Sequence, residues 1–139
     1  MEQMKILLVD DEKTFIDNIA SLLARRNYQA KAVYSGQEAV DAMKSEESDV
    51  VVLDLKMPGM DGMTTMKEIR KLNKTSEFLM LTGHGSIDTA LEAVKLGAHD
   101  YLAKPCEIDE LMEKIEEIAI KRKEKNKKKS LFALKGKGK

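Results

Sequence analysis

Ile6-Leu7-Leu8-Val9-Asp10-Asp11-Glu12 is an apolar run that passes directly into acids. Such a run, short and bounded by polar residues, reads as a strand buried on both faces. Val50-Val51-Val52-Leu53-Asp54 repeats the pattern further along the chain. Two more strand-like runs close on Thr82 and Lys104. Between them lie longer segments of helical period. Strands are predicted near about 4–10, 28–33, 49–54, 77–82 and 99–103, and helices near about 13–26, 36–46, 62–73 and 86–96, with a last helix from about 107. Regular alternation of strand and helix predicts an α/β fold with a doubly wound parallel sheet covered by helices on both faces.

Helical spacing puts Phe15, Ile19, Leu22 and Leu23 on one stripe of the first helix, and Met63, Met66 and Ile69 on the third. Ile108, Leu111, Met112, Ile115 and Ile118 do the same on the last. These rows read as core. Ser35 and Ser86 read as helix N-caps and Gly97 as a helix terminator.

The chain has 139 residues, 42% hydrophobic and 35% charged, which fits one soluble domain with a short tail. No apolar run approaches the roughly 18 residues of a membrane span, and the N-terminus lacks a secretory pattern. The single cysteine, Cys106, excludes an internal disulfide and a multi-cysteine metal cage, so a cytoplasmic setting is expected. Cys106 and the isolated His84 and His99 read as packed or solvated residues.

A net charge of zero conceals a division. Residues 1–120 carry 14 Lys+Arg against 23 Asp+Glu, a net −9, while residues 121–139 carry 10 against one, a net +9. The expected organisation is a domain over 1–120 and a Lys-rich tail over 121–139, read as a helix extension, a linker or a disordered segment.

In a parallel α/β sheet the strand C-termini gather along one edge, where ligands bind. Asp10, Asp11 and Asp54 would meet there and repel one another unless a cation neutralised them. Carboxylates alone suit a hard ion such as Mg²⁺, which usually keeps waters beside one or two of them. Asp54 is then a plausible nucleophile toward a phosphoryl group, with Lys104 offsetting negative charge and Thr82 offering a hydroxyl. Singly, each has a plain reading. Asp10 or Asp11 could cap the first helix, Asp54 could open a turn, Thr82 could be a cap, and Lys104 could be a solvated lysine. Their shared position at successive strand ends favours one site. No Gly-x-x-x-x-Gly-Lys-Ser/Thr loop occurs, and Gly83-His84-Gly85 lacks the third glycine of a dinucleotide fingerprint.

Four segments together resemble the receiver domains of bacterial two-component response regulators. They are Leu7-Leu8-Val9-Asp10-Asp11-Glu12, Val52 through Gly62, Leu81-Thr82-Gly83-His84-Gly85, and Asp100-Tyr101-Leu102-Ala103-Lys104-Pro105. The stretch from Gly83 to Ala98 is similar to receivers attached to NtrC-like, ATP-driven transcriptional activators. The resemblance implies a flavodoxin-like (CheY-like) sheet of order 2-1-3-4-5 with five helices. It implies that Asp54 takes a phosphoryl group from a sensor histidine kinase, and that Asp10, Asp11, Asp54 and the Lys56 backbone carbonyl hold Mg²⁺ or Mn²⁺. Thr82 and Lys104 would grip the phosphoryl group, Tyr101 would turn inward with Thr82, and the Lys104–Pro105 peptide would be cis.

The function so implied is a phosphorylation-dependent switch rather than a turnover enzyme, acting through the fourth helix, fifth strand and last helix. Its output would go to a downstream effector or a missing output domain, transcription-related, with no DNA reading by the receiver itself, no membrane, and a phosphorylation-dependent homodimer among the expected states. Two departures stand out. Cys106 occupies a position that is commonly Phe, and Lys56 and His84 occupy positions that tune the phosphoryl lifetime. Two other readings compete. A metal-dependent phosphatase or phosphotransferase would use the same acids, but the chain lacks an Asp-x-Asp pair after the first strand and a substrate cap. The tail could instead bind a polyanion, against the plainer reading of a solvated linker.

Overall fold

The computed structural model describes residues 3–73, 75–83 and 87–137. Five strands alternate with five helices: β1 Lys5–Val9, α1 Lys13–Arg25, β2 Gln29–Val33, α2 Gly36–Ser45, β3 Val50–Asp54, α3 Gly62–Leu72, β4 Glu77–Thr82, α4 Ile87–Lys95, β5 Asp100–Ala103 and α5 Ile108–Lys137. All ladders are parallel and the sheet order is β2-β1-β3-β4-β5. This is the doubly wound arrangement expected from the alternation.

Side chains of a strand alternate between faces, so one apolar run feeds two cores. Leu7, Val9, Val51, Leu53, Phe78 and Met80 pack with α2, α3 and α4 on one side. Ile6, Leu8, Val50, Val52, Leu79 and Leu81 pack with α1 and α5 on the other. The inner strand β3 is buried along its whole length, whereas the edge strand β2 alternates exposed and half-buried positions.

Helix boundaries follow local chemistry. The Ser35 hydroxyl caps α2 by accepting from the Glu38 amide at 3.1 Å. Asp61 does the same for α3, accepting from Thr64 at 2.8 Å. Gly97, after α4, stands at φ +112°, where a side chain is strained; the Arg70 guanidinium also lies against it and donates to its carbonyl at 2.8 Å. Ser86 and His84 lie outside the described residues.

Two expectations need correction. On α1 the buried stripe is Ile16, Ile19 and Leu23, while Phe15 and Leu22 are half-buried and pack against the margin of the same core. Ile108, the first residue of α5, is 37% exposed. The tail, read as a helix extension, a linker or disorder, continues α5 unbroken to Lys137. Residues 121–135 contain no Gly or Pro, and eight of the fifteen are Lys or Arg, both good helix formers. Arg122 also fastens the first turn of the extension: its Nε lies 3.3 Å from an Asp49 carboxylate oxygen, and its Nη1 donates to the Thr75 carbonyl.

Candidate functional site

The strand register assembles the site. Asp10 follows β1, and its amide donates to the Val33 carbonyl at 3.2 Å, extending the ladder by one residue. Asp54 is the last residue of β3, opposite Leu81 of β4. Thr82 ends β4 opposite Ala103, and the Lys104 amide donates to the Thr82 carbonyl at 2.7 Å. Four chain ends thus meet at one sheet edge, the shared position that the sequence pattern favoured.

Asp10, Asp11 and Asp54 each offer a carboxylate oxygen, and these three atoms lie within 4.8 Å of one another. Asp10 is fully buried and Asp54 nearly so, whereas Asp11 is exposed and makes the open side. The donors are all oxygens, the charge is concentrated, and one side faces solvent, a set that suits a hard divalent cation with some of its waters retained. Neither acid caps α1. The N-cap position belongs to Glu12, whose side chain makes no capping bond, and Glu12 instead donates its amide to Asp10 Oδ1 at 2.9 Å.

Burial first, and then the neighbouring Asp10 charge, push the Asp54 carboxyl from an ordinary 3.8 up to about 6. Lys104 and the Lys56 amide, which donates to Asp54 Oδ1 at 3.2 Å, work against that rise. The same Asx-type bond realises the turn-opening reading of Asp54, so the plain and functional readings hold together here.

Lys104 is not a solvated lysine. Its ammonium lies 2.7 Å from Asp10 Oδ2, 2.9 Å from Glu12 Oε1 and 3.6 Å from Asp54 Oδ2, with its side chain 15% exposed. Burial opposes that charge, but the bonds to Asp10 and Glu12 outweigh burial and hold its pKa above the ordinary value. It also stands 5.2 Å from the centre of the Phe15 ring. The Lys104–Pro105 peptide is cis. Thr82 is fully buried, and among the described residues its hydroxyl makes one long bond, 3.3 Å, to the Gly83 carbonyl. Tyr101 is half-buried against the α2–α4 core.

Two contributors escaped the sequence reading. Glu12, second anchor of Lys104, was visible as the third acid of Asp10-Asp11-Glu12, but nothing in spacing tied it to residue 104. Gly62 was quoted without a role. A Cβ placed on it would meet the Asp54 carbonyl oxygen at 2.5 Å and Leu55 Cα at 2.6 Å, so α3 begins directly against the end of β3. His99 is structural: its amide donates to Phe78 at 2.8 Å and its Nδ1 lies 3.9 Å from Glu77. Cys106 is half-buried against the α1–α5 core, with burial raising its thiol pKa.

Comparison with known proteins places this geometry. The family described as response regulator receiver domain matches residues 6–116. The transcriptional regulatory protein ZraR of Salmonella typhimurium is 39% identical over 114 residues, covering 82% of this chain and 26% of that protein. The uncharacterized transcriptional regulatory protein YesN of Bacillus subtilis is 34% identical over 131 residues, covering 91% of this chain and 36% of that protein. NtrX from Brucella abortus superposes with a TM-score of 0.84 at 30% identity, over 94% of this chain and 30% of that one. A response regulator receiver domain from Clostridium thermocellum gives 0.79 at 35% identity, over 86% and 97%. The chain therefore spans about a quarter to a third of the curated relatives it matches. Among the described residues no helix is long and apolar enough to cross a membrane.

Proposed function

The chain belongs to the response regulator receiver domains, signalling modules rather than turnover enzymes, and from that premise we propose that Asp54 is its phosphoryl acceptor. The observation that carries the proposal is the meeting of three carboxylates within 4.8 Å beside the Lys104 ammonium. Above about pH 6 Asp54 is ionised and carries a free lone pair for attack. Its oxygen forms a bond to phosphorus as the bond from phosphorus to the donor nitrogen breaks, and that nitrogen leaves with the electron pair. The donor is the phosphohistidine of a sensor histidine kinase.

Asp10, Asp11, Asp54 and the Lys56 backbone carbonyl would hold the divalent cation, Mg²⁺ or Mn²⁺. When bound, that ion offsets negative charge on the transferring group. Lys104 needs only to swing from Glu12 and Asp10 toward the new phosphoryl oxygens. Its raised pKa keeps it cationic throughout. The buried Thr82 hydroxyl, weakly engaged by Gly83, turns to donate to a phosphoryl oxygen. Tyr101 moves inward into the space that Thr82 vacates, and this biases the surface of α4, β5 and α5 between two states. The surface then controls a transcription-related partner or output domain, or pairs two copies of the chain, consistent with the regulatory names of its relatives.

Acetyl phosphate with Mg²⁺ tests the assignment. Intact-mass analysis is expected to show one added phosphoryl group on the wild-type chain and none on Asp54→Asn. Equal labelling of both would show that another residue is the acceptor.

A further inference from the structure

The extension of α5 has no role in the phosphoryl site. Its continuation as a helix changes what the lysines of the tail can do. Successive helical residues turn by about 100°, so Lys121, Lys123, Lys125, Lys127, Lys128 and Lys129 point around most of the circumference. All six are exposed. Arg122 is turned toward the body and tied to Asp49 and Thr75. At the root of the arm, Lys125 and Lys129 join Arg70 of α3 and Arg122 around a cleft of 230 Å³, where the one acid in the lining, Glu77, lies 3.9 Å from Lys125. The outcome is a positively charged rod fixed at its base, with a cationic cleft continuing its surface onto the domain.

We propose that this arm is a sequence-independent binding surface for the phosphate backbone of duplex nucleic acid. Three classes of acidic partner are available, and the side chains discriminate among them. Residues 121–130 contain no apolar side chain, and the apolar residues of the arm, Leu131, Phe132, Ala133 and Leu134, are confined to one turn near its distal end. A helix lying in a bilayer interface buries an apolar face along its length, and one turn does not supply it. A protein interface draws its energy from buried aromatic and aliphatic anchors, and the turns that carry the lysines offer none. A polyphosphate needs neither, because neutralising phosphates releases condensed counterions, and that term alone supplies non-specific binding. The major groove also admits an α-helix.

The acidic body does not prevent this. Lys127 and Lys129 stand about 8 and 10 Å along the axis beyond Arg122, while charges are screened over about 8–10 Å at physiological salt. The distal arm therefore presents its own field to a partner. The proposal is independent of Asp54 chemistry.

Fluorescence anisotropy with a short labelled DNA duplex tests it on the full chain. Engagement of about four phosphates predicts roughly a hundredfold loss of affinity between about 50 and 200 mM KCl. The variant K127Q/K128Q/K129Q keeps helix-forming side chains, verified by circular dichroism, and is expected to bind at least about tenfold more weakly at the lower salt with a shallower salt dependence. Vesicles of phosphatidylcholine and phosphatidylserine form the second arm. Absence of duplex binding, binding indifferent to salt or to the three substitutions, or vesicle binding as tight as duplex binding would each overturn the proposal.

Discussion

Asp54 ends a fully buried strand next to another buried acid, so its charge is held against both desolvation and repulsion. Its pKa in the folded chain is raised, which means that the folded state binds this proton more tightly than the unfolded state does. The group therefore favours folding in acid, and that contribution is lost as pH rises from about 4 through about 6. Asp54→Asn is expected to stabilise the Mg²⁺-free chain by about 1–2 kcal/mol near pH 7.5, after allowance for solvent screening, and by little near pH 4. Urea titrations at the two pH values check this; an equal effect at both would contradict the raised pKa. Lys104 presents the opposite case. Lys104→Ala leaves buried Asp10 without its ammonium partner, at an expected cost of about 2–3 kcal/mol, part of which saturating Mg²⁺ should restore. Thermal melts with and without Mg²⁺ report it. A loss untouched by Mg²⁺ would place the ion elsewhere. At this scale the sequence was informative about acids and poor about partners. Position after a strand fixed where Asp10, Asp54 and Lys104 would stand. It could not say that Lys104 bridges to Glu12, which depends on side-chain reach across the sheet edge.

Elements carry the site through two contacts at the start of α3. Asp61 caps the helix, and Asp61→Ala should cost about 1 kcal/mol in urea unfolding with phosphorylation retained. Gly62 lets the same helix approach the Asp54–Leu55 backbone. Gly62→Ala has to push that backbone aside, so a loss of about 2–4 kcal/mol and slower labelling by acetyl phosphate are expected together. Labelling at the wild-type rate in a folded Gly62→Ala chain would show that α3 does not position the acceptor. Strand positions were legible from apolar runs of fixed length, and helix positions from their caps and period. The face of α1 was less so, because Phe15 and Ile16 are adjacent and equally apolar, and only packing against β1 and α5 selects Ile16. The length of α5 was left open between a helix extension, a linker and disorder. Loss of apolar period signals loss of a buried face, not loss of helix, and lysine-rich segments without glycine or proline keep their backbone geometry.

Across the whole molecule, a parallel sheet collects four polar strand ends at one edge while two apolar cores hold the edge in register. An acidic domain of net −9 and a basic arm of net +9 share one chain, and three of the domain's acids meet where a cation is needed. The central claim is that Asp10, Asp11 and Asp54 form a divalent-cation site on which phosphoryl acceptance depends. Calorimetric titration of the phosphate-free chain with Mg²⁺ at neutral pH tests it most directly. The account predicts saturable binding of one ion, weakened as pH falls below about 6 and abolished in Asp11→Asn/Asp54→Asn. No saturable binding in the wild-type chain, or binding unchanged in the double variant, would contradict it.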